Sequence, residues 1–191
     1  MGGFTNSTFL SLIPKEANPS SFDRFRPISL CNASYKIFSK LLAKRLKPLL
    51  EKSISPFQGG FVKGRHILEN VIQVQEAMYS SFHRQEKGML IKLNMADGFD
   101  RVKLSFLYSV LHYFGFSHAF INLIKSCIDK PWIAPLVNGR PTKIFQASMG
   151  LRQGCLLSSF LYIIMVYSLS IKLSAGKYLG IILGINSASG V

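Results

Sequence analysis

Of 191 residues 48% are hydrophobic, enough for one buried core and too many for a disordered tail. Lysine and arginine number 23 against 9 aspartates and glutamates, a formal charge of +14, which points to a polyanion such as nucleic acid, with a solvated basic surface as the alternative. The 3 cysteines, Cys31, Cys127 and Cys155, form no CxxC, and the 4 histidines complete no zinc pattern, which argues against a disulfide scaffold or zinc module and for a reduced, intracellular setting, the nucleus included.

The N-terminus carries no basic-then-apolar signal sequence, and Asn6 stands where a myristoylation pattern has Ser or Thr. Residues 8–14 (TFLSLIP) read as a strand ending at Pro14, and 17–27, with Pro19, Ser20, Ser21 and Pro27, as loop. From Tyr35 to Lys52 the pattern is helical, with Tyr35, Phe38, Leu42, Leu46 and Leu49 on the apolar face and Lys36, Lys40, Lys44 and Lys47 along another stripe. That stripe suits a helix lying beside a phosphate backbone, and equally a solvated face.

Pro56 ends that helix, and a second is expected from His66 to His83 with Ile67, Val71, Val74 and Met78 inward. Met89–Met95 (MLIKLNM) alternates as a strand does, and Leu104–Tyr113 and Ala119–Ile128 read as helices split by Gly115. Trp132–Val137 and Thr142–Gln146 flank Asn138-Gly139, the signature of a tight hairpin. A long apolar helix follows from Cys155 to Leu173; its membrane candidate, Cys155–Ile171, is slightly short for a span and carries serines, so a buried helix is expected and no membrane partner. The expected fold class is mixed α/β, with helices interleaved among antiparallel strands.

Four blocks in order give the chain a family resemblance: LIPK at 12–15 with FRPISL at 25–30, QGGFVKGRHILEN at 58–70, KLNMADGFDRV at 92–102 and GLRQGCLLS at 150–158. Together they resemble the reverse transcriptases of plant-type LINE (non-LTR) retrotransposons. The resemblance implies a right-hand polymerase fragment, with fingers over about 1–90 and an incomplete palm over about 91–191. It also implies RNA template and RNA/DNA hybrid as partners and magnesium as cofactor.

By resemblance, Lys15 and Arg26 grip the incoming triphosphate, and Arg65 is either a further phosphate contact or an ion-pair partner within the fingers. Gln153 and Gly154 match a pair that sits against the nucleotide and templating base, and Gly154 also suits the first turn of a helix by geometry alone. Phe99 matches an aromatic gate against a ribose 2′-hydroxyl; as a lone residue it reads as core.

Phosphoryl transfer in polymerases uses two metal ions roughly 3.5–4 Å apart, and magnesium needs charged oxygen ligands. In a pattern like KLDMxKAYDRV the family carries a metal-binding Asp where this chain has Asn94. Asp100 matches the family's second Asp, which is not a principal ligand, and Asp97 stands where a Lys is usual. The other catalytic pair belongs to a [FY]ADD hairpin expected after the long apolar helix. No such tract occurs here, although 178–185 (YLGIILGI) resembles its approach. Met149, Leu156, Ser159 and Tyr167 also depart from the pattern, and the endonuclease normally joined upstream is not in these 191 residues.

The expectation is a degenerate fragment that does not polymerise DNA. The alternatives are a non-catalytic nucleic-acid-binding module, a working enzyme only within a longer or complementing protein, or a reading frame rarely translated.

Overall fold

The computed structural model describes residues 6–62, 64–85 and 87–181. Its first strand, β1 (Ser7–Pro14), pairs antiparallel with β2 (Phe25–Cys31), Leu10 facing Ser29 and Ile13 facing Arg26. β2 corrects the loop expected over 17–27, whose last three residues it takes in after a single 3-10 turn at Phe22–Arg24. Pro27 is tolerated because β2 is an edge strand. Two residues on, the Ser29 N–H points off the sheet to the Gln153 carbonyl, the side on which Pro27 lacks its donor.

β3 (Trp132–Val137) lies on the other side of β1 and parallel to it, Ser7 facing Trp132 and Phe9 facing Ala134. The expectation of antiparallel strands alone is therefore corrected. The helices between β1 and β3 form a crossover, and a crossover returns the chain in the same direction. Asn138 and Gly139 take positive φ as expected and close a hairpin of β3 with β4 (Arg140–Pro141), while β5 (Phe145–Gln146) pairs further down β3. Residues 142–144, expected as strand, interrupt the returning arm.

The Asn32 side chain accepts the Tyr35 N–H at 2.7 Å and so starts α1 (Ala33–Ser53). Its buried face is Tyr35, Ser39, Leu42, Ala43, Leu46 and Leu50; Leu49, expected inward, is exposed. α3 (Leu104–Tyr113) matches its expected bounds, and α4 (His118–Ile128) starts one residue early because Ser117 caps it. α5 (Leu156–Tyr178) runs five residues past its expected end. Among the described residues it alone is long and apolar enough to cross a membrane. Here its first half, with Leu157, Phe160, Leu161 and Ile164, is buried against α1 and α3. Leu107, Leu111, Ile121 and Ile124 complete the core under these helices.

Two further expectations fail. α2 (Ile67–His83) forms where periodicity places it, yet Ile67, Val71, Val74 and Met78 are all exposed, and Ser81 is its one buried residue. Met89–Met95 is not a strand: it joins no ladder, and Met89, Leu90, Ile91, Leu93 and Met95 are exposed. An alternating pattern states which face a strand would bury, but a strand forms only where a neighbour takes its N–H and C=O groups. No described residue does so here.

Candidate functional site

The third and fourth sequence blocks meet through their backbones. Residues 96–101 form a run of turns in which Asp97 O accepts the N–H groups of Asp100, at 2.9 Å, and Arg101, at 3.1 Å. The fourth block crosses this turn, Gly150 N–H donating to Val102 O at 2.9 Å and Leu151 N–H to Phe99 O at 2.8 Å. Gly150 has φ +93°, and a Cβ there would stand 2.9 Å from Asp100 O, so only glycine allows the approach.

Beyond the crossing, the chain turns at Gly154 (φ +90°) onto β2. Ser29 N–H donates to Gln153 O at 3.0 Å, and a Cβ on Gly154 would reach Ile28 Cγ2 at 3.4 Å. The Gln153 amide Nε2 donates to Asp100 Oδ2 at 2.9 Å. Asp100, Phe99, Gln153 and Gly154, distant in sequence, are thus gathered at the edge of the hairpin that carries Lys15 and Arg26. Partial burial raises the Asp100 carboxyl pKa above its usual value, and Asp97 adds to the rise; the Gln153 hydrogen bond and Lys15 oppose it.

The Phe99 ring is stacked on Tyr162 of α5, centroids 4.5 Å apart and planes 15° from parallel, so it packs on the core whatever else it does. Asn94 is exposed, and the Asp97 carboxylate pairs loosely with Arg101 at 3.9 Å on the surface. These donors do not fit a magnesium pair. Asn94 is neutral, Asp97 faces a cation, Asp100 holds Gln153, and among the described residues no three Asp, Glu, His or Cys side chains cluster to hold a metal. Residues 182–185 of the stretch that resembles the approach to an ADD hairpin lie outside the described residues.

Lys15 is turned into its own loop, where Nζ donates to Asp23 O at 2.8 Å. A hydrogen bond from Ser21 leads the causes that hold the Asp23 carboxyl below its usual range. Arg26 is exposed opposite Ile13. Arg65 is committed elsewhere: its guanidinium donates to the carbonyls of Glu51, Ile54, Ser55 and Gln58, closing the C-terminus of α1. Lys36, Lys40, Lys44 and Lys47 are all exposed on α1, away from the face that buries Leu42, Leu46 and Leu50. Sequence reasoning passed over two residues beside these: Tyr162, which stacks on Phe99, and Arg152, which is buried and precedes Gln153 in the chain.

Residues 13–183 match the family described as reverse transcriptase (RNA-dependent DNA polymerase). The chain is 31% identical over 153 residues to the "Transposon TX1 uncharacterized 149 kDa protein" of Xenopus laevis, covering 80% of this chain and 12% of that protein. It is 26% identical to the "Retrovirus-related Pol polyprotein from type-1 retrotransposable element R2" of Popillia japonica, over 80% of this chain and 21% of that one. Against the "Probable RNA-directed DNA polymerase from transposon BS" of Drosophila melanogaster the identity is 28%, over 79% and 17%. The chain therefore spans about a fifth or less of the relatives it matches. With its matched region and the four blocks in order, the chain belongs to the reverse transcriptase family, and its relatives are those of non-LTR retrotransposons.

Proposed function

We propose that this chain is the fingers, over about 1–90, and part of the palm, over about 91–191, of a plant-type LINE reverse transcriptase. In this reading it binds RNA template and RNA/DNA hybrid, inside the cell and in the nucleus where chromosomal DNA is the primer, but this copy does not extend a primer. The observation that carries the reading is Asn94. Where the family resemblance implies a charged metal ligand, this chain has a neutral amide, and the carboxylates nearby are engaged by Arg101 and Gln153. A transition state deprived of about 1.4 kcal/mol of stabilisation slows tenfold, so losing a metal ligand costs orders of magnitude. The roles left to the remaining residues are binding ones. Arg26 and Lys15 would face a triphosphate, Phe99 would limit the sugar, and the Gln153–Gly154 turn would lie along the base pair.

The test is primer extension on a primed RNA template with deoxynucleotides and magnesium or manganese. The chain alone should give no product above a blank. Joined to the palm C-terminus of an active relative, it should stay silent with Asn94 and gain extension with Asn94→Asp. Extension with Asn94 in place would overturn the reading. The exposed lysine stripe of α1 favours a second one, a binding module without catalysis, which predicts RNA binding in both forms and extension in neither.

A further inference from the structure

Arg152 is buried, with 8% of its surface exposed, and among the described residues no carboxylate pairs with it. A buried cation without a counter-ion is costly, so what surrounds it has to compensate. One amino group donates to Cys127 O at 3.3 Å, in the last turn of α4, where the helix dipole presents partial negative charge. The other donates to Asn6 O at 2.9 Å and to Asn6 Oδ1. The guanidinium carbon lies 4.2 Å from the centre of the Tyr35 ring, in the first turn of α1, while Nε has no partner.

These contacts converge on a junction. The Asn6 carbonyl also accepts the Trp132 N–H at 3.2 Å, and its Nδ2 donates to Asp129 O at 2.6 Å. Arg152 therefore ties together the entry to β1, the end of α4, the start of β3 and the first turn of α1. The residue after it is Gln153, which is bonded to β2 through its carbonyl and to Asp100 through its amide. An apolar side chain of equal volume would fill the space but leave the Cys127 carbonyl and Asn6 Oδ1 without donors, and a lysine could not span Asn6 and Cys127 with one ammonium group.

We propose that Arg152 is the positioning residue of the Gln153–Gly154 turn, its buried fork fixing the near side of the turn so that the Gln153 amide keeps its aim. That the turn faces a nucleotide rests on the reading above; the anchoring itself does not.

The experiment uses the whole chain and compares Arg152→Met, Arg152→Lys, Asn6→Ala and Gln153→Ala by NMR. Reporters are hydrogen exchange at the Ser29 amide and the shifts of the Gln153 side-chain amide, with α3 and α5 amides as the control for folding. Arg152→Met should speed Ser29 exchange at least tenfold and move the Gln153 signals to those of a free glutamine, with the control amides unchanged. Arg152→Lys should not restore them. Should Arg152→Met fail to fold, Asn6→Ala, which removes one acceptor and keeps the cation, should shift both reporters in the same direction by less. Unchanged reporters in a folded Arg152→Met or Asn6→Ala protein would overturn the proposal. Binding of dTTP, followed separately, tests the nucleotide reading. If Gln153→Ala leaves its affinity unchanged, that reading falls while the reporters still decide the role of Arg152.

Discussion

The Tyr162 hydroxyl occupies the space that a side chain on Gly98 would need. A Cβ there would overlap the hydroxyl and stand 3.1 Å from Cζ, while the ring stacks on Phe99 and the hydroxyl donates to Met95 Sδ at 3.3 Å. The smallness of one residue in the third block is thus matched by a tyrosine on α5, and the pair sets where the Phe99 ring lies. Gly98→Ala should cost about 1–3 kcal/mol by overpacking, and Tyr162→Phe less than about 1 kcal/mol. In the double variant most of the Gly98→Ala cost should vanish, giving a coupling of about 1 kcal/mol or more in urea denaturation. Simple addition of the two costs would mean that the hydroxyl is not there.

Asp100 makes stability depend on pH. Its folded-state pKa is raised, so the folded protein holds that proton more tightly than the unfolded chain. Stability from this group is present at low pH and falls as pH rises from the ordinary carboxylate value of 3.8 through the raised one. Asp100→Asn keeps an oxygen for Gln153 and removes the charge, so it should flatten that fall and stabilise the protein at neutral pH. Parallel pH profiles for the two proteins would show that the carboxyl is not enclosed.

Arg65 should behave as a helix cap and not as a ligand. Arg65→Met leaves buried or half-buried carbonyls at the end of α1 without donors, for a loss of about 2–3 kcal/mol in thermal or urea melts. Affinity for triphosphate or RNA, measured below the melting range, should not change. A weakened affinity with intact stability would return Arg65 to the phosphate-binding set.

The lysines of α1 are predicted to act in the opposite way. Replacing Lys36, Lys40, Lys44 and Lys47 with Gln should leave the melt within about 0.5 kcal/mol, since all four are exposed. RNA affinity should fall, and the salt dependence should lose about 0.9 in logarithmic slope per phosphate contact removed. An unchanged slope would place the nucleic acid elsewhere.

The exposed apolar side of α2 and of Met89–Met95 should bind a fluorescent apolar dye. Val71→Lys and Met78→Lys should reduce that signal and change stability by no more than about 0.5 kcal/mol, whereas Leu46→Ala in the core should cost about 2–5 kcal/mol. Losses of core size at Val71 or Met78 would show that α2 is covered after all.

Local patterns were sufficient wherever a segment carries its own reason to form. The α3 helix, the Asn138-Gly139 turn and most of the apolar stripe of α1 are decided by side chains within a few residues of each other, although Leu49 of that stripe is exposed. The block motifs likewise identified the family and marked Asn94, Asp100, Gln153 and Gly154, because residue type at fixed spacing is itself the signal. What lay beyond the sequence is whatever depends on a partner distant in the chain. Met89–Met95 alternates correctly and is still no strand, because no described neighbour completes its ladder. The α2 stripe has helical spacing and stays exposed, because no described element packs on it. Arg65 read equally as a phosphate contact or an ion-pair partner within the fingers, and the structure gives its guanidinium four carbonyls at the end of α1 and in the turn that follows. Arg152 showed no partners until Asn6, the end of α4 and the first turn of α1 met at its guanidinium. Hydrogen-bond satisfaction and burial are properties of pairs, and only the tertiary structure decides which residues become pairs.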